Sequence, residues 1–474
     1  MKLPTLLSIT LVGCMATTSA PTPEDTDPDP APASDPIEKQ TANQDVSPFD
    51  IGSCFGRVAS LDHSFVIQDP TVLAKFSLQR TLQQILDSEH DHTQTATQLF
   101  QRWMASYGDC SNTRIDPYHY GITCPRPESA LASIDPFDPA SGVVFAPIAV
   151  VNRFDLAPTN GMNCGEYRIA YAMKSNTVVT GRALLNFEGV LRNPRPDLGI
   201  EGCRRVAQWW SDRSKDTTAD QLAANLESFF YTGTALIGFG PVVSAQSYGF
   251  GQGHRGYNVG QIRANMFVTN HEWNLREFKT NYDQNPYGAI IAIDQVTVKN
   301  NPADELFRGS ADQSPYMRTV MQEQLPALAA ATTATVSDSI PDFLNEYESV
   351  STRTNVLYDQ FSNADMRTAI QTELTTEGIT NLSVDNILRR ASSQTCAGCH
   401  QASTFSPEND LGDNQFVGGT LPFVHVESGV GSMSPALRYG FVPHRQQVLA
   451  GFLCSTNVAD DGLNVGGGVR GAAN

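Results

Sequence analysis

The middle third of the chain carries a series of short runs rich in Ile, Val and Phe. They fall at residues 143–151, 167–173, 178–190, 259–269, 273–278 and 288–298. Runs of this length and composition, separated by turn residues, predict an antiparallel sheet. A helix is expected over residues 222–230, between the third and fourth runs. The fold is therefore expected to contain a sheet in its middle, with helices added to it.

Helical periodicity surrounds this sheet region. Residues 72–107 place their apolar side chains on one helical face. After residue 300, Ser314-Pro315 and Ile340-Pro341 are typical helix starts, and a further helix over residues 363–377 should stop at Gly378. The predicted class is α+β: a β-rich antiparallel middle region with added helices, followed by an α-helical C-terminal segment. The predicted domains, which follow a signal peptide and a tether, are an α+β domain over 51–305 and a helical region over 306–474.

The first fourteen residues predict export. Met1-Lys2 gives a positive start, and the apolar run over residues 3–13 is too short to span a bilayer. It ends in Leu11-Val12-Gly13-Cys14, which resembles the lipobox of bacterial lipoproteins. The resemblance implies removal of residues 1–13 and a lipid on Cys14; the alternative is an ordinary signal peptide. Met15, in place of Asp, implies the outer membrane as the destination, with the protein on its periplasmic or surface face.

Residues 14–50 are predicted to form an extended tether. They are rich in Pro, Thr, Ala and Asp, with eight acidic residues and one lysine from Pro21 onwards. Such a segment buries too little apolar surface to offset the entropy of ordering it. The formal net charge of −18 for the whole chain argues against nucleic acid and anionic membrane surfaces as partners. No later stretch has the length and apolarity of a transmembrane helix.

Six of the nine cysteines are candidates for disulfides, because an exported chain meets an oxidising compartment. We favour Cys110–Cys124 and Cys164–Cys203, since each pair closes a local loop around Pro- and Gly-rich turns. Cys54 would then pair with Cys454 and join the two ends of the folded region. Fifteen pairings are possible in principle.

The remaining two cysteines lie in Cys396-Ala397-Gly398-Cys399-His400, after a predicted helix that Ser383 caps. Two thiols at this spacing can form thioethers with the vinyl groups of haem, and the next histidine can supply an axial nitrogen. This segment resembles c-type cytochromes. The resemblance implies one covalent haem c on Cys396 and Cys399, with iron bound by His400.

The sixth ligand of such an iron stays open. Class I cytochromes place a Met in a loop before a last helix, and Met433 precedes a helix predicted from about Pro443 to Leu453. Fewer residues separate His400 from Met433 than separate the corresponding histidine and methionine in that family. His425, within an apolar run, is a competing ligand and His444 a weaker one; a five-coordinate iron is a further alternative.

Other chemistry fits the same motif. A Cys-x-x-Cys pair can form a structural or redox disulfide, or half of a zinc site completed by His400 and His425. Three functions follow: electron transfer with a redox partner protein, a disulfide-stabilised binding or structural lipoprotein without haem, and an extracytoplasmic haem-dependent oxidoreductase. Whether the chain is an enzyme is left undecided.

Charged residues beside two strands form a further candidate site. Arg153 and Asp155 follow one predicted strand, and Glu166 and Arg168 begin the next. Charges held beside strands can line a functional site, although ion pairs at a sheet edge are the commoner explanation. Two weaker patterns are read as surface features: the Gly-rich stretch over 251–256 and the acidic and histidine-rich stretch over 89–92.

Overall fold

Seven strands form one antiparallel sheet, and their order across the sheet is their order along the chain. The protein is described by a computed structural model. The described residues are 60–91, 93–109, 125–175, 181–235, 238–249, 260–268, 274–285, 288–298, 301–332, 335–341, 343–344, 357–395, 410–413, 426, 433–434 and 437–454. The mixed α+β class with an antiparallel middle sheet is confirmed.

The strands match the apolar runs of the middle third, after a short first strand that sequence did not predict. Their bounds are β1 Val66–Ile67, β2 Val144–Arg153, β3 Asn163–Ser175, β4 Gly181–Arg192, β5 Gln261–Val268, β6 Asn274–Asn285 and β7 Gly288–Val296. All neighbours pair antiparallel, with Arg153 opposite Glu166 and Arg168 opposite Glu188. Because side chains alternate between faces, this register places those four charges on one face of the sheet.

Helices precede, interrupt and follow the sheet. The α-helices are α1 Leu61–Ser64, α2 Pro70–Leu73, α3 Leu78–Ser88, α4 Ala96–Ala105, α5 Arg204–Asp212, α6 Ala219–Glu227, α7 Asp304–Arg308, α8 Ser314–Glu323, α9 Leu325–Leu328, α10 Tyr358–Phe361, α11 Ala364–Thr376, α12 Val384–Ser393 and α13 Val442–Cys454. A π-helical turn, Ser228–Thr232, extends α6, and another, Leu437–Phe441, leads into α13.

The helical character predicted over residues 72–107 is confirmed, and it is divided among three helices. The chain forms α2, α3 and α4 there, because Ser77 and Thr95 each accept a hydrogen bond from a backbone N–H as N-caps and start new helices. The predicted helix over 363–377 is confirmed: Asn363 caps α11 and Gly378, at φ 67°, follows its end. The helix expected from Ile340-Pro341 stays a prediction, since residues 345–356 lie outside the described ranges.

Two clusters of buried apolar side chains hold the described chain together. The first lies between one face of the sheet and helices α2 to α6, and includes Trp103, Tyr171 and Phe187. The second is formed mainly by α7 to α12. Helix α13 packs into the first cluster, with Leu449 and Phe452 buried there. The last helix of the described ranges thus packs with the cluster on the sheet.

One predicted disulfide is confirmed. Cys164 in β3 and Cys203, the residue before α5, are bonded across a sequence separation of 39 residues. The bond fixes α5 against the start of β3. Cys454 is also disulfide-bonded, and its partner lies outside the described residues, as do Cys54, Cys110 and Cys124. The pairings Cys54–Cys454 and Cys110–Cys124 therefore stay predictions.

Candidate functional site: a buried charged face

The face of the sheet opposite the first hydrophobic cluster carries buried charges on five consecutive strands. We call it the charged face; it consists of Arg153, Glu166, Arg168, Glu188, Gln261, Arg263, Glu277 and Lys279. Each of these residues is at most 7% exposed. Burying so many charges is costly, and well-packed apolar residues would often serve stability as well or better. Stability alone therefore does not account for this face.

The charges alternate in sign across the strands. Arg168 pairs with Glu166 and lies 3.4 Å from Glu188, measured from Nη1 to Oε1. Arg263 links Glu188, at 3.2 Å, to Glu277, at 3.1 Å. Lys279 ends the row, with its Nζ 3.9 Å from Glu277. The row is thus held by ion pairs between neighbouring strands.

Glu166 and Glu188 form a pair of carboxyl groups with shared partners. The Gln261 amide donates to Oε2 of Glu188 at 2.5 Å and to Oε2 of Glu166 at 3.4 Å. Burial raises the pKa of Glu166 despite the adjacent Arg168. Burial also acts to raise the pKa of Glu188, but Arg168 and Arg263 outweigh it and hold that pKa below its ordinary value. Two neighbouring carboxyl groups with pKa values pushed apart can hold one proton, as acid–base sites do.

Helix α13 brings further charge to the β2 end of this face. Arg445, in its first turn, lies 3.9 Å from Asp155, measured from Nε to Oδ1, and Asp155 also accepts hydrogen bonds from Arg153. The two arginines hold the pKa of Asp155 low, although burial acts to raise it. Burial lowers the pKa of His444, and Asp155 only partly opposes this effect. His444 is therefore favoured as a neutral imidazole.

The helix before the Cys396–His400 motif is firmly anchored. A capping box between Ser383 and Asn386 starts α12, which ends at Ser393. Arg390 is fully buried and donates to the carbonyl oxygens of Leu328, at 2.9 Å, and Leu411, at 2.6 Å. These bonds hold α12 between α9 and residues 410–413. The chain before the motif is thus anchored by these bonds as far as the end of α12.

The sequence-derived haem and lipid residues are mostly beyond what the structure describes. Cys14, Cys396, Cys399, His400 and His425 lie outside the described residues. Met433 is described: it is partly buried against the first hydrophobic cluster and forms an antiparallel bridge with Val426, the neighbour of His425. The bridge fixes the backbone of Met433 beside that of Val426.

The other candidates from sequence receive structural explanations. Arg153–Asp155 and Glu166–Arg168 do form ion pairs, but they are buried, and β3 has strands on both sides. Asp91, from the stretch over 89–92, accepts a hydrogen bond from the backbone N–H of Ile291 and so ties α3 to β7. Within the described ranges no three His, Cys, Asp or Glu side chains are grouped to hold a metal ion. No helix in those ranges has the length and apolarity to cross a membrane.

Sequence reasoning missed most of the charged face. Glu188 and Arg263 alternate with apolar residues in their strands, which is typical of a solvent-facing side, and Glu277 follows another charged residue, Arg276. The register between strands, which the sequence does not reveal, puts them in one row.

Comparison with protein-family models, curated proteins and solved structures found no match.

Proposed function

We propose that this protein is an exported lipoprotein that carries one haem c and serves electron transfer. The observation that carries the proposal is the motif Cys396-Ala397-Gly398-Cys399-His400 in a chain with a lipobox. Cys396 and Cys399 would hold the haem covalently, and His400 would bind its iron. Bound haem supplies a centre that takes up and releases one electron. Its partner would be another redox protein of the envelope.

The arrangement around the motif supports this proposal. Helix α12, which precedes the motif in the chain, is anchored through Arg390. Helix α13 follows Met433 in the chain, as a last helix follows the ligand methionine in the cytochrome family. The thioether of Met433 is partly buried against apolar side chains. A partly buried thioether in a loop suits a sixth ligand better than a fully exposed one would, because exclusion of water stabilises thioether coordination.

The location of the protein at the cell envelope is the second part of the proposal. Lipid on Cys14 would hold the protein at the outer membrane, and residues 15–50 would separate the folded region from the membrane surface. An acidic tether and an acidic protein keep away from anionic lipid. The redox partner would then be reached by diffusion around a fixed anchor.

An oxidoreductase is a second candidate, and the charged face favours it. Glu166 and Glu188 could move a proton while haem accepted electrons from a bound substrate. A binding or structural lipoprotein without haem is a third candidate, favoured by the bond between Cys164 and Cys203. The three candidates differ in whether haem is attached and whether a substrate reduces it.

The visible spectrum of the protein, made in a strain with haem-attachment machinery, tests the proposal. We expect Soret and α bands that survive acid–acetone extraction, because thioether bonds hold the haem. The Cys396→Ala, Cys399→Ala double variant should lose them, whereas the Cys164→Ala, Cys203→Ala control should keep them. A colourless wild-type protein would overturn the proposal, and zinc in stoichiometric amount would replace it by a zinc site.

In haem-loaded protein, single substitutions assign the iron ligands. His400→Ala should abolish the low-spin spectrum while the thioether bonds persist. Met433→Ala should lower the reduction potential if the thioether is the sixth ligand, since methionine ligation raises it. Met162→Ala, at an exposed methionine 67% accessible, is the matched control. An effect of His425→Ala instead would assign that histidine, and no effect of either would indicate a five-coordinate iron and favour catalysis.

A further inference from the structure

Three buried arginines meet where α13 packs against the 3-10 turn Phe154–Leu156, which follows β2. We call them the arginine cluster: Arg153 from β2, Arg168 from β3 and Arg445 from α13, each at most 4% exposed. Arg445 lies within electrostatic reach of both other arginines and of Asp155 and Glu166. Side chains from three elements that are distant in sequence thus place like charges together in a buried position.

Three N–H donors of the arginine cluster make no hydrogen bond to the described residues. A guanidinium has five N–H groups. Arg153 uses Nε and Nη2 on Asp155, and Arg168 uses Nε on Glu166. Among the described residues, Nη1 of Arg153, Nη1 of Arg168 and Nε of Arg445 are buried without a hydrogen bond, although Glu188 Oε1 lies 3.4 Å from Arg168 Nη1 and Asp155 Oδ1 lies 3.9 Å from Arg445 Nε. Such orphaned donors are rare in native proteins and each calls for an explanation.

The numbers of positive and negative groups around the arginine cluster also indicate an anion site. Among the described residues, the ion pairs of the charged face and of Arg445 connect five cationic side chains with four carboxyl groups: Arg153, Arg168, Arg263, Lys279 and Arg445 with Asp155, Glu166, Glu188 and Glu277. Burial lowers the pKa of Arg445 well below its ordinary value, and Arg153 lowers it further. An arginine nevertheless keeps its proton in proteins. The cluster is therefore left with an excess of positive charge that an anion would neutralise.

We propose that the arginine cluster binds a small molecule through an oxyanion group, a carboxylate, phosphate or sulfate. The planar fork of a guanidinium matches two oxygens of such a group, and its charge strengthens the bonds. The ligand must be small, because the arginines are buried. Its oxygens would accept from the three orphaned N–H groups and leave Glu166 and Glu188 beside it. The inference does not depend on the proposed haem.

Thermal unfolding of the full mature protein tests this site. Acetate, succinate, phosphate and sulfate are compared with chloride at equal ionic strength. We expect at least one oxyanion to raise the Tm by several degrees with a saturable dependence in the millimolar range, because a ligand that binds only the folded state stabilises it. Which anions act distinguishes a carboxylate site from a phosphate or sulfate site. General stabilisation by excluded salts rises without saturation.

Two arginine variants make the test specific. Arg445→Gln should remove the saturable shift and, without oxyanion, unfold at the same or a higher temperature than the wild type, because Asp155 keeps its hydrogen bonds from Arg153 while the repulsion among the three arginines is reduced. Arg213→Gln is the matched control: Arg213 is also buried but pairs with Asp216 at 2.8 Å. That variant should keep the anion response and unfold at a lower temperature.

Calorimetric titration of the wild-type protein keeps the inference falsifiable if Arg445→Gln does not fold. The expected result is saturable heat at one anion per chain. The inference is overturned if no oxyanion gives a saturable response in the wild type. It is equally overturned if a folded Arg445→Gln variant retains that response.

Discussion

Asp338 is a carboxyl group placed among apolar side chains of the second hydrophobic cluster. It is 4% exposed, and its chain neighbours Val336 and Ile340 are buried in that cluster. Within the described part of the chain its Oδ1 has no hydrogen-bond partner. Burial raises its pKa to about 7, although its own backbone N–H opposes the shift. The folded protein therefore holds a proton here that the unfolded chain releases at a lower pH.

The consequence is a stability that falls with rising pH. The contribution of protonated Asp338 is fully present below the unfolded pKa and is lost as the pH rises through about 7. Asp338→Asn should remove this slope and raise the free energy of unfolding at pH 8, since each pKa unit corresponds to about 1.4 kcal/mol. Urea unfolding at pH 5 and pH 8 measures both effects. Asp312→Asn, at an exposed position, is the control, and an unchanged slope in Asp338→Asn would contradict the explanation.

Three hydroxyl groups join separate elements inside the first cluster. Thr81 Oγ1 in α3 is hydrogen-bonded to the hydroxyl of Tyr171 in β3, at 2.7 Å, and to that of Tyr231 in the π-helical turn after α6, at 2.8 Å. Thr81 and Tyr171 are fully buried. A methyl group in place of Oγ1 would leave tyrosine hydroxyls without this partner, which is costly in a buried position.

Thr81→Val is expected to destabilise the protein by about 1–3 kcal/mol, because buried polar groups lose a partner while volume is conserved. The free energy of unfolding from urea titration is the measurement. Thr81→Ser keeps the hydroxyl and should lose less stability than Thr81→Val. Equal losses in the two variants would mean that packing of the Thr81 methyl group, rather than hydrogen bonding, joins these elements.

Most elements could be predicted from local sequence, because their signals are local. Asn363 and Gly378 bound α11, and Ser383 starts α12, since caps and stops act within one helical turn. The row from Glu166 to Lys279 could not be predicted in this way. Alternation in β4 and β5 indicates that one side of each strand is polar, but strand register and the chain segments that bury the row are set by distant residues.

At the scale of the whole molecule, the sequence predicts that the regions before and after residue 305 form separate domains. This division stays a prediction. Helix α13 packs with the first cluster, although the helices just before it in the chain form the second. The local sequence predicts a helix from about Pro443 to Leu453, but not which cluster it packs against. Arg445 was missed for the same reason, because only packing of α13 against the 3-10 turn Phe154–Leu156 brings it to Asp155.

The lipid anchor is the prediction that concerns the whole molecule. Cys14→Ala should abolish globomycin-sensitive processing and release the protein from membranes, because the acyl chains supply the attachment. Fractionation after a high-salt wash is the measurement, with the unsubstituted protein as control. Membrane retention of Cys14→Ala would contradict the lipobox assignment and favour an ordinary signal peptide.

The match between strand order and chain order has a consequence for how the protein folds. Every strand from β2 to β7 pairs with the strand that precedes it in the chain. A chain that emerges amino end first can therefore add each strand to an edge that already exists, without waiting for its carboxyl end. Pairing between sequence neighbours also keeps loop-closure entropy low and favours fast folding. Growth of the sheet is expected to be directional, and α13 packs last, against the 3-10 turn that follows β2.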